Sequence, residues 1–529
     1  MAGRSRGLSA IVVACLLAAG GPVALAQVQE APPAPRFAIK SFAVEGNTIL
    51  PQAEVDALVA PYVGPDRDFG SVQQALEALQ DAYTKRGFTA VRVLVPEQDL
   101  VSGRVRLQVI EARLRKITVQ GNQFFTEPNV VATIPSLQAG EPPNTTKISQ
   151  SVQLANENPA KQVTVVLEGT DEPGKTDAIV RVTDENPKRV TLSVDNTGTP
   201  GTGSLRVGAG YQDANLTGRD DVLTAQYVTA PTKLNDVKIF GVGYRLPMYQ
   251  WGGAFDFVAG YSDVNSGTVA GLFTVSGSGT ILGARYTQTL PNIDAYQQKL
   301  SLGLDYKAFT QNVGLLGVPG SLVPDITVHP LSVVYTGRLS RAGDDISFSA
   351  GVSQNFGWGN DGRQADFTAQ RPGARADYRI YRIAAAWSKL LPNDLIARLV
   401  GNAQVASGPL VPGEQFGLGG QDSVRGFYER EAANDSGERL SAELYGPDLG
   451  ARLGDGWRAR ALGFYDMANG RDKDPERAGH NGLSSVGVGL RASYGRSLSM
   501  RVDAASVLNQ SLSRPGNRGR IHFSVVYSF

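Results

Sequence analysis

The chain has 529 residues, which is too long for one ordinary domain and indicates a large barrel or several folded units. Outside the N-terminus no apolar run approaches the about 20 residues that a membrane-spanning helix needs, which argues against a helical membrane protein. Lysine and arginine (51) balance aspartate and glutamate (50), so nothing points to nucleic-acid binding. A membrane β-barrel fits the composition, because apolar and polar residues alternate along barrel strands and bulk hydropathy then looks soluble.

The first 26 residues are predicted to be a secretory signal peptide. Arg4 and Arg6 form the basic part, Leu8–Ala19 the apolar part, and Ala24–Ala26 a small-x-small cleavage site. The mature chain would then begin at Gln27.

The only cysteine of the chain, Cys15, lies inside the predicted signal peptide. Val12–Cys15 loosely resembles a lipoprotein cleavage box, but the apolar run before it is short. A mature chain without cysteine has no disulfide, no thiol nucleophile and no thiolate metal site. Gln27–Arg36 carries three prolines and is predicted to be an extended, mobile linker.

Two repeats of similar layout follow the linker. The first is predicted to contain, in order, strand Phe37–Val44, helices Ala53–Ala60 and Ser71–Arg86, and strands Ala90–Val95 and Val105–Ala112. In the longer helix Val72, Leu76, Leu79 and Tyr83 share one face, and Gly87 ends it.

The second repeat is predicted to keep the same order. Its elements are strand Lys116–Val119, a helix started by Thr126-Glu127-Pro128, a helix over Thr145–Asn156, and strands Gln162–Leu167 and Ala178–Val182. A Gly-Asn pair follows the first strand of both repeats, at Gly46 and Gly121. We therefore predict an internal duplication, in which each repeat packs two helices on a three-stranded sheet and leaves a sheet edge and a groove open.

From Lys188 onward, alternating segments of about ten residues recur to the end of the chain, as in barrel strands. The last segment is the clearest, because Ile521, Tyr527 and the terminal Phe529 fall on one apolar face and His522 on the other. About twenty residues per strand with its connection predicts near sixteen strands, an even number as such barrels require. Longer extracellular loops are expected at Asn312–Pro324, Asn360–Ala376 and Asp472–Asn481.

One glycine-rich stretch, Gly419–Phe427, carries a single arginine, Arg425. In the later segment Gly463–Asp466, Phe464 and Asp466 share one face of a strand and Tyr465 takes the other. If that strand belongs to a barrel, Asp466 must face the lumen and needs a cation. Arg425 on an inward-folded loop is the candidate, because a guanidinium can donate two parallel hydrogen bonds to a carboxylate.

An enzyme is the least favoured class. The three histidines, His329, His480 and His522, are far apart in the sequence, so a metal cluster is not expected. No G-x-S-x-G nucleophile elbow or nucleotide-binding loop is present, and pairs such as Gly241-Val242-Gly243 are read as close-packing positions in strands. The sequence therefore predicts no catalytic residues, no cofactor and no metal.

In combination and in order, several motifs resemble the outer-membrane transporters of two-partner secretion, of the haemolysin secretion/activation and filamentous-haemagglutinin type. The motifs are Leu94–Gln98 with Gly103, Leu154–Pro159, Gly174–Asp177, Asp195–Gly198, Asn215–Asp220, Val424–Phe427, Gly463–Asp466, Ser485–Arg491 and the terminal Phe529. The resemblance extends from about Phe37 to Phe529.

The resemblance implies periplasmic POTRA domains that capture an unfolded exoprotein, and a barrel that conducts it outward without ATP. It assigns residues 37–114 and 115–187 to POTRA domains, 188–529 to the barrel, and the inward-folded loop to about 415–440. Val424, Arg425, Gly426 and Phe427 would be the loop motif, with Phe464 and Asp466 on the partner strand. Phe529 would be the terminal signal of the barrel.

Expected partners are a secreted exoprotein of adhesin, cytolysin or toxin type, outer-membrane lipid, and the machinery that inserts barrels; the transporter itself is expected to be a monomer. Many members of the family begin with a helix that plugs the pore, but Gln27–Arg36 is short and proline-rich, which argues against one here. The alternatives are a barrel-assembly insertase of the same superfamily and a passive porin. Two repeats instead of a longer array count against the insertase, and a periplasmic repeat has no use in a porin.

Overall fold

The computed structural model describes residues 35–264, 267–269, 273–275, 278–310, 324–474, 480–509 and 516–529. The predicted signal peptide with Cys15, most of the predicted linker, and parts of the expected loops Asn312–Pro324 and Asp472–Asn481 lie outside these ranges. None of the described helices is long and apolar enough to cross a membrane. By internal contacts the chain forms two compact units, one that includes Leu50–Leu79 and Leu94–Gln108 and one that includes Val109–Phe529.

The first repeat holds two helices and five strands. They are β1 (Phe37–Ile39), β2 (Ser41–Glu45), α1 (Gln52–Val59), β3 (Gly64–Arg67), α2 (Phe69–Lys85), β4 (Val91–Leu94) and β5 (Arg104–Glu111). The three-stranded sheet has the order β2-β5-β4, with β2 parallel to β5. The single first strand expected over Phe37–Val44 is divided, because β1 pairs separately with β3, a strand that the sequence pattern did not reveal. On α2, Val72 and Leu79 are fully buried, as predicted.

The second repeat forms a sheet of order β6-β8-β7 with two helices. Its elements are β6 (Arg113–Gln120), α3 (Glu127–Ala132), α4 (Thr145–Ala155), β7 (Lys161–Gly169) and β8 (Lys175–Asp184). The Thr126 side chain caps α3 by accepting from the Asn129 N–H, as the sequence predicts. The repeated Gly-Asn pairs have a common cause. Gly46 and Gly121 have φ of +85° and +87°, and a Cβ on either would lie 2.3 Å from a carbonyl oxygen of its own repeat.

The C-terminal part is a closed antiparallel barrel. Its first strands and hairpins are β9 (Lys188–Asp195), β10 (Arg206–Asp213), β11 (Val222–Thr229), β12 (Lys238–Met248), β13 (Gly253–Ser262), β14 (Gly267–Val269), β15 (Phe273–Val275), β16 (Gly279–Thr289), β17 (Tyr296–Phe309), β18 (Ile326–Val328), β19 (Pro330–Arg341) and β20 (Asp344–Asn355). Then follow α5 (Gln364–Gln370), β21 (Arg379–Leu391), β22 (Leu395–Ala406), β23 (Phe416–Leu418), β24 (Ala432–Asn434), β25 (Ser436–Tyr445), β26 (Trp457–Arg471), β27 (His480–Tyr494), β28 (Leu498–Asn509) and β29 (Gly519–Ser528).

Within the described residues the barrel wall has sixteen strands, because β18 and β19 pair with β17 in one register and form a single strand interrupted at His329. The barrel closes where β29 pairs with β9, from Ser524 opposite Asp195 to Ser528 opposite Thr191. Strand alternation places His522 inside at 0% exposure and leaves its neighbour Ile521 60% exposed outside. The predicted fold, α+β POTRA domains followed by an antiparallel transmembrane β-barrel of about sixteen strands, is confirmed.

Candidate functional site

The connection between β22 and β25, residues 407–435, folds into the barrel and is called the inward loop here. A short antiparallel pair, β23 with β24, forms its stem, and residues 419–431 form its tip. The expected range of about 415–440 is shifted, because residues from Ser436 onward already belong to strand β25 of the wall.

At the tip, Arg425 donates hydrogen bonds to both carboxylate oxygens of Asp466 on β26. Its Nε lies 2.7 Å from Oδ2 and its Nη2 lies 2.7 Å from Oδ1, and its backbone N–H also donates to Oδ2 at 3.1 Å. Arg425 is 1% exposed and Asp466 is 0% exposed, so water does not screen the pair. The two residues that the sequence analysis singled out for charge complementarity are in direct contact.

Two further carboxylates, which the sequence analysis missed, also face Arg425. Its Nη1 lies 2.9 Å from Glu443 Oε1 on β25 and 3.5 Å from Asp503 Oδ1 on β28. Asp503 is in turn bound by Arg491 and Arg501. Arg425 is therefore one member of a charge network that joins four strands of the wall, β25 to β28.

Apolar contacts complete the docking of the tip. The ring of Phe464 lies under the guanidinium, with 3.5 Å between its centroid and Arg425 Cζ, a cation–π arrangement. Val424 and Phe427 are both 0% exposed and pack in one cluster with Leu418 of the stem. All the predicted loop and partner-strand residues thus meet at one place.

Phe529 lies elsewhere, at the closure of the barrel. Its backbone N–H and C=O pair with Val190 on β9, each at 2.9 Å. Its ring is 64% exposed and lies 5.8 Å from the ring of Tyr527. A position on the outer face at the end of the last strand is compatible with a terminal signal that is read from outside the barrel.

The base of the inward loop has ionic anchors of its own. The buried carboxylate of Glu414 binds Lys307 Nζ at 2.8 Å and Arg382 Nη2 at 3.4 Å, both on wall strands. Asp435, also buried, binds Arg371 at 2.5 Å. The stem is consequently fixed to the wall independently of the tip.

Beside the loop a cavity of about 1030 Å³ runs in the lumen. Charged side chains of both signs line it, among them Arg206, Arg285, Lys307, Asp305, Asp422 and Glu429. Side chains of this kind offer hydrogen-bond donors and acceptors to a polar chain.

A second buried junction connects the second repeat to the barrel. Lys161 at the start of β7 pairs with Asp220, and both side chains are 0% exposed. The Tyr249 hydroxyl also donates to Asp220, at 2.6 Å. Asn158 donates to the Ala214 carbonyl and Asn129 to the Gly218 carbonyl, both at 2.6 Å. We call this contact, between Asn129, Asn158 and Lys161 on one side and residues 214–221 on the other, the repeat–barrel joint.

The ion pair of the joint is buried, and the ring of Phe125 lies against the Lys161 ammonium. The core of the second repeat continues into the barrel turn through Ala214 and Val222. Burial lowers the pKa of the Lys161 ammonium, and the Asp220 carboxylate opposes that change. Nearby, Glu157 of the second repeat binds both Arg245 and Lys299 on the barrel. The motifs at Leu154–Pro159 and Asn215–Asp220 therefore meet in space, because Asn158 of the first also donates to the Asp220 carbonyl of the second at 3.4 Å.

Within the described residues no group of histidine, cysteine, aspartate and glutamate side chains is arranged to hold a metal ion.

Comparison with known families and proteins matches this architecture. Residues 174–492, more than half of the chain, match the family described as haemolysin secretion/activation protein ShlB/FhaC/HecB, and residues 37–112 match the POTRA domain, ShlB-type. The outer membrane transporter CdiB of Dickeya dadantii (strain 3937) is 24% identical over 429 residues, 78% of this chain and 72% of the relative. The heme/hemopexin transporter protein HuxB of Haemophilus influenzae (strain 86-028NP) is 21% identical over 505 residues, 90% of this chain and 84% of the relative.

Solved structures show the same fold. CdiB from Escherichia coli superposes with a TM-score of 0.76 at 21% identity, covering 96% of this chain and 93% of that one. CdiB from Acinetobacter baumannii gives 0.70 at 17% identity, covering 94% and 91%. The chain belongs to the haemolysin secretion/activation protein family ShlB/FhaC/HecB and is an outer-membrane transporter of the two-partner secretion type.

Proposed function

We propose that this transporter captures one unfolded exoprotein in the periplasm and passes it through the barrel to the cell surface without ATP. The observation that carries the proposal is the inward loop, which is held in a closed, polar-lined lumen by the buried contact of Arg425 with Asp466. A loop docked in this way narrows the route and gives the passing chain a fixed boundary.

The chain is divided accordingly. Residues 1–26 are the signal peptide, 27–36 a linker, 37–114 and 115–187 the two periplasmic POTRA domains, and 188–529 the barrel. Because β9 leaves the second repeat and strands then alternate in direction, the connection from β22 to β25 starts on the extracellular side. The inward loop therefore enters the lumen from outside, and the repeat–barrel joint lies at the periplasmic rim.

Capture uses the backbone of the sheet edges. In the sheet β6-β8-β7 the outer strands β6 and β7 each have one side without a neighbouring strand of that sheet. An extended segment of the exoprotein adds there as a further strand, and main-chain hydrogen bonds tolerate varied side chains. Binding in the periplasm and folding outside the cell then drive export, with no nucleotide needed.

The two curated relatives named above are an outer membrane transporter and a heme/hemopexin transporter. Family membership supports a secreted partner for this chain as well, and we propose an exoprotein of adhesin, cytolysin or toxin type. The protein works as a monomer in outer-membrane lipid, and Phe529 is the residue by which the assembly machinery recognises the barrel.

The test compares the culture supernatant and the outer-membrane proteins of a deletion strain with those of the complemented strain. Loss of one large protein from the supernatant, with other barrels intact, is the expected result and identifies the partner. General depletion of outer-membrane barrels would overturn the proposal in favour of an insertase. An unchanged supernatant and membrane would leave a passive pore as the function.

A further inference from the structure

We propose that His522 and Asn517 are positioning residues that hold the main chain of Gly426, so that the backbone of the loop tip, in addition to the Arg425 side chain, docks on the C-terminal hairpin. This hairpin consists of β28 and β29 with the described residues 516–518 between them. The inference rests on the proposed function only in so far as transport needs a docked loop.

Both polar atoms of the Gly426 backbone are bound by side chains of this hairpin. The Gly426 N–H donates to His522 Nε2 at 3.0 Å, and the Gly426 carbonyl accepts from Asn517 Nδ2 at 3.1 Å. Two such bonds on one residue fix the orientation of the peptide planes on either side of it. One of these peptides belongs to Arg425, whose guanidinium must reach Asp466.

The hairpin also leaves no room for a side chain at this position. Gly426 has φ of +96°, and a Cβ built on it would lie 3.2 Å from the Ala505 Cβ and 3.4 Å from the Val507 Cγ2. Only glycine fits this conformation and this space without strain. His522, Asn517, Ala505 and Val507 thus form a Gly426 socket.

His522 is itself held rigidly. It is 0% exposed and lies opposite Asp503 in the pairing of β28 with β29. Its neighbours are clamped by Asn196, which donates to the Ile521 carbonyl at 2.8 Å and accepts from the Phe523 N–H at 3.0 Å. With its flanking backbone bound and its side chain buried, the imidazole is placed to present Nε2 to the Gly426 N–H.

Among the described residues, the imidazole of His522 makes one hydrogen bond, in which it accepts from the Gly426 N–H. To accept from Gly426, Nε2 must be unprotonated, which puts the proton of the neutral ring on Nδ1. Among the described residues Nδ1 has no hydrogen-bond partner. A buried polar side chain with a single polar contact points to that contact as its role, because an apolar side chain would fill the same space at lower cost.

Variants of the C-terminal hairpin test its contact with the loop tip. Amide exchange of the tip, residues 419–431, is measured in the full-length protein in lipid nanodiscs for the parent, His522→Leu and Asn517→Asp. Losing the acceptor leaves the Gly426 N–H buried without a partner, so tip exchange should rise roughly tenfold or more in His522→Leu. Asn517→Asp removes the donor and places a carboxylate against the Gly426 carbonyl, with the same expected result. Heat-modifiable migration in gels verifies that each barrel is folded.

Two variants act as controls. His522→Gln returns an amide oxygen to about the position of Nε2 and should keep tip exchange close to the parent value. Asn509→Asp makes the same chemical change on the same hairpin, but Asn509 donates to the Gly482 carbonyl on β27 and not to the loop. Parent-like tip exchange in both His522→Leu and Asn517→Asp would overturn the proposal, as would equal acceleration in both controls. Failure of the proposed function is visible separately, because the parent protein would then export no partner while the exchange result stands.

Discussion

The tip of the inward loop and the repeat–barrel joint are both fixed by a buried ion pair, yet the two are built differently. At the tip, Arg425 meets Asp466 and also faces Glu443 and Asp503, whose own arginine partners extend the network along the wall. At the joint, Lys161 meets the single carboxylate of Asp220, with a tyrosine hydroxyl and the ring of Phe125 around it.

The difference in cation suits the difference in task. A guanidinium has five donors in a planar fork and serves several carboxylates at once, whereas an ammonium is a compact point charge. The tip is buried inside the barrel, where Arg425 faces three carboxylates and must take one orientation among them. The joint is the continuation of an apolar core, where Lys161 needs to meet only one carboxylate at contact distance.

The tip and the joint should respond differently when charged side chains are removed. Removing both members of an isolated buried pair can be nearly neutral, because no charge is left without a partner. Removing one pair from a network also takes away the cation that the remaining carboxylates share, although Glu443 keeps Arg398 and Asp503 keeps Arg491 and Arg501. The joint should therefore be rescued by a double neutral substitution, and the loop tip should not.

The largest effect is expected from Arg425→Met. The substitution leaves Asp466, Glu443 and Asp503 around an apolar side chain, and breaking a buried pair costs about 3–5 kcal/mol. We expect a folded barrel in the outer membrane and an export of the partner that falls to near the level of the deletion strain, measured in culture supernatant. Adding Asp466→Asn should not restore export, since two carboxylates remain.

Arg338→Met is the matched control for that experiment. Arg338 also binds one aspartate, Asp345, through Nε at 3.1 Å and Nη2 at 2.8 Å, but its side chain is 58% exposed. An exposed pair contributes about 0–1 kcal/mol, so export should be unchanged. Undiminished export by Arg425→Met would remove the loop contact from the mechanism.

A smaller effect is expected at the joint, and a second substitution should largely reverse it. Lys161→Met leaves Asp220 buried beside a hydroxyl, which costs about 3–5 kcal/mol before relaxation, and the rim position allows water to enter. Hydrogen exchange of α4 and β7 in the full-length protein should accelerate. The double variant Lys161→Met/Asp220→Asn should recover most of the lost protection.

The joint prediction has a clear contrary outcome. If the double variant is as exposed to exchange as Lys161→Met, the pair is part of a larger network and the contrast with the tip is wrong. Arg115→Met, which removes an exposed partner of Asp177 and Glu172 in the same repeat, provides the reference for an unburied cation.

Sequence reasoning reached the Arg425–Asp466 contact because it depends on local facts. A carboxylate in a strand with period-two alternation must face the lumen, and a lone arginine in a glycine-rich loop is a suitable partner. The contact is present in the structure, and its role in transport stays a prediction. Glu443 and Asp503 carry the same alternation signal, but nothing local says which lumen-facing carboxylates share one height of the barrel. That depends on strand register around the whole wall.

The Lys161–Asp220 contact could not be predicted from the sequence for a related reason. Lys161 begins an edge strand, and Asp220 lies in a turn with φ of +66°. No local sequence pattern at either position indicates that its partner lies in a different domain. The motifs Leu154–Pro159 and Asn215–Asp220 were noticed as part of a resemblance, without a physical reason for their residues. The structure supplies that reason as a direct contact, because Asn158 of the first motif donates to the Asp220 carbonyl of the second.

A third effect tests whether space, in addition to charge, fixes the loop tip. Gly426→Ala forces a side chain into φ of +96° and to within 3.2 Å of the Ala505 Cβ, a strain of roughly 1–3 kcal/mol. Export should fall partially, and tip exchange should rise. Gly408→Ala in the same loop is the control, because a Cβ there meets nothing within 4 Å. Equal export by the two variants would show that the tip tolerates displacement from its wall.

The smallest effect on amide exchange is expected at an exposed ion pair on the second repeat, which contributes less stability than either buried pair. The hydrogen bonds from Arg115 lower the pKa of Asp177 below its ordinary value of 3.8. A lowered folded-state pKa stabilises the fold above the unfolded value, and that stabilisation is lost as pH falls through the folded value. Asp177→Asn should therefore accelerate exchange of β6 and β8 slightly at pH 7, by no more than roughly a few-fold, and not at all once the parent carboxyl is protonated. Asp171→Asn, in the exposed turn after β7, is the matched control. If the difference between Asp177→Asn and the parent persisted unchanged at pH 3 and below, the carboxylate charge would not be its source, and shape alone would explain the contact.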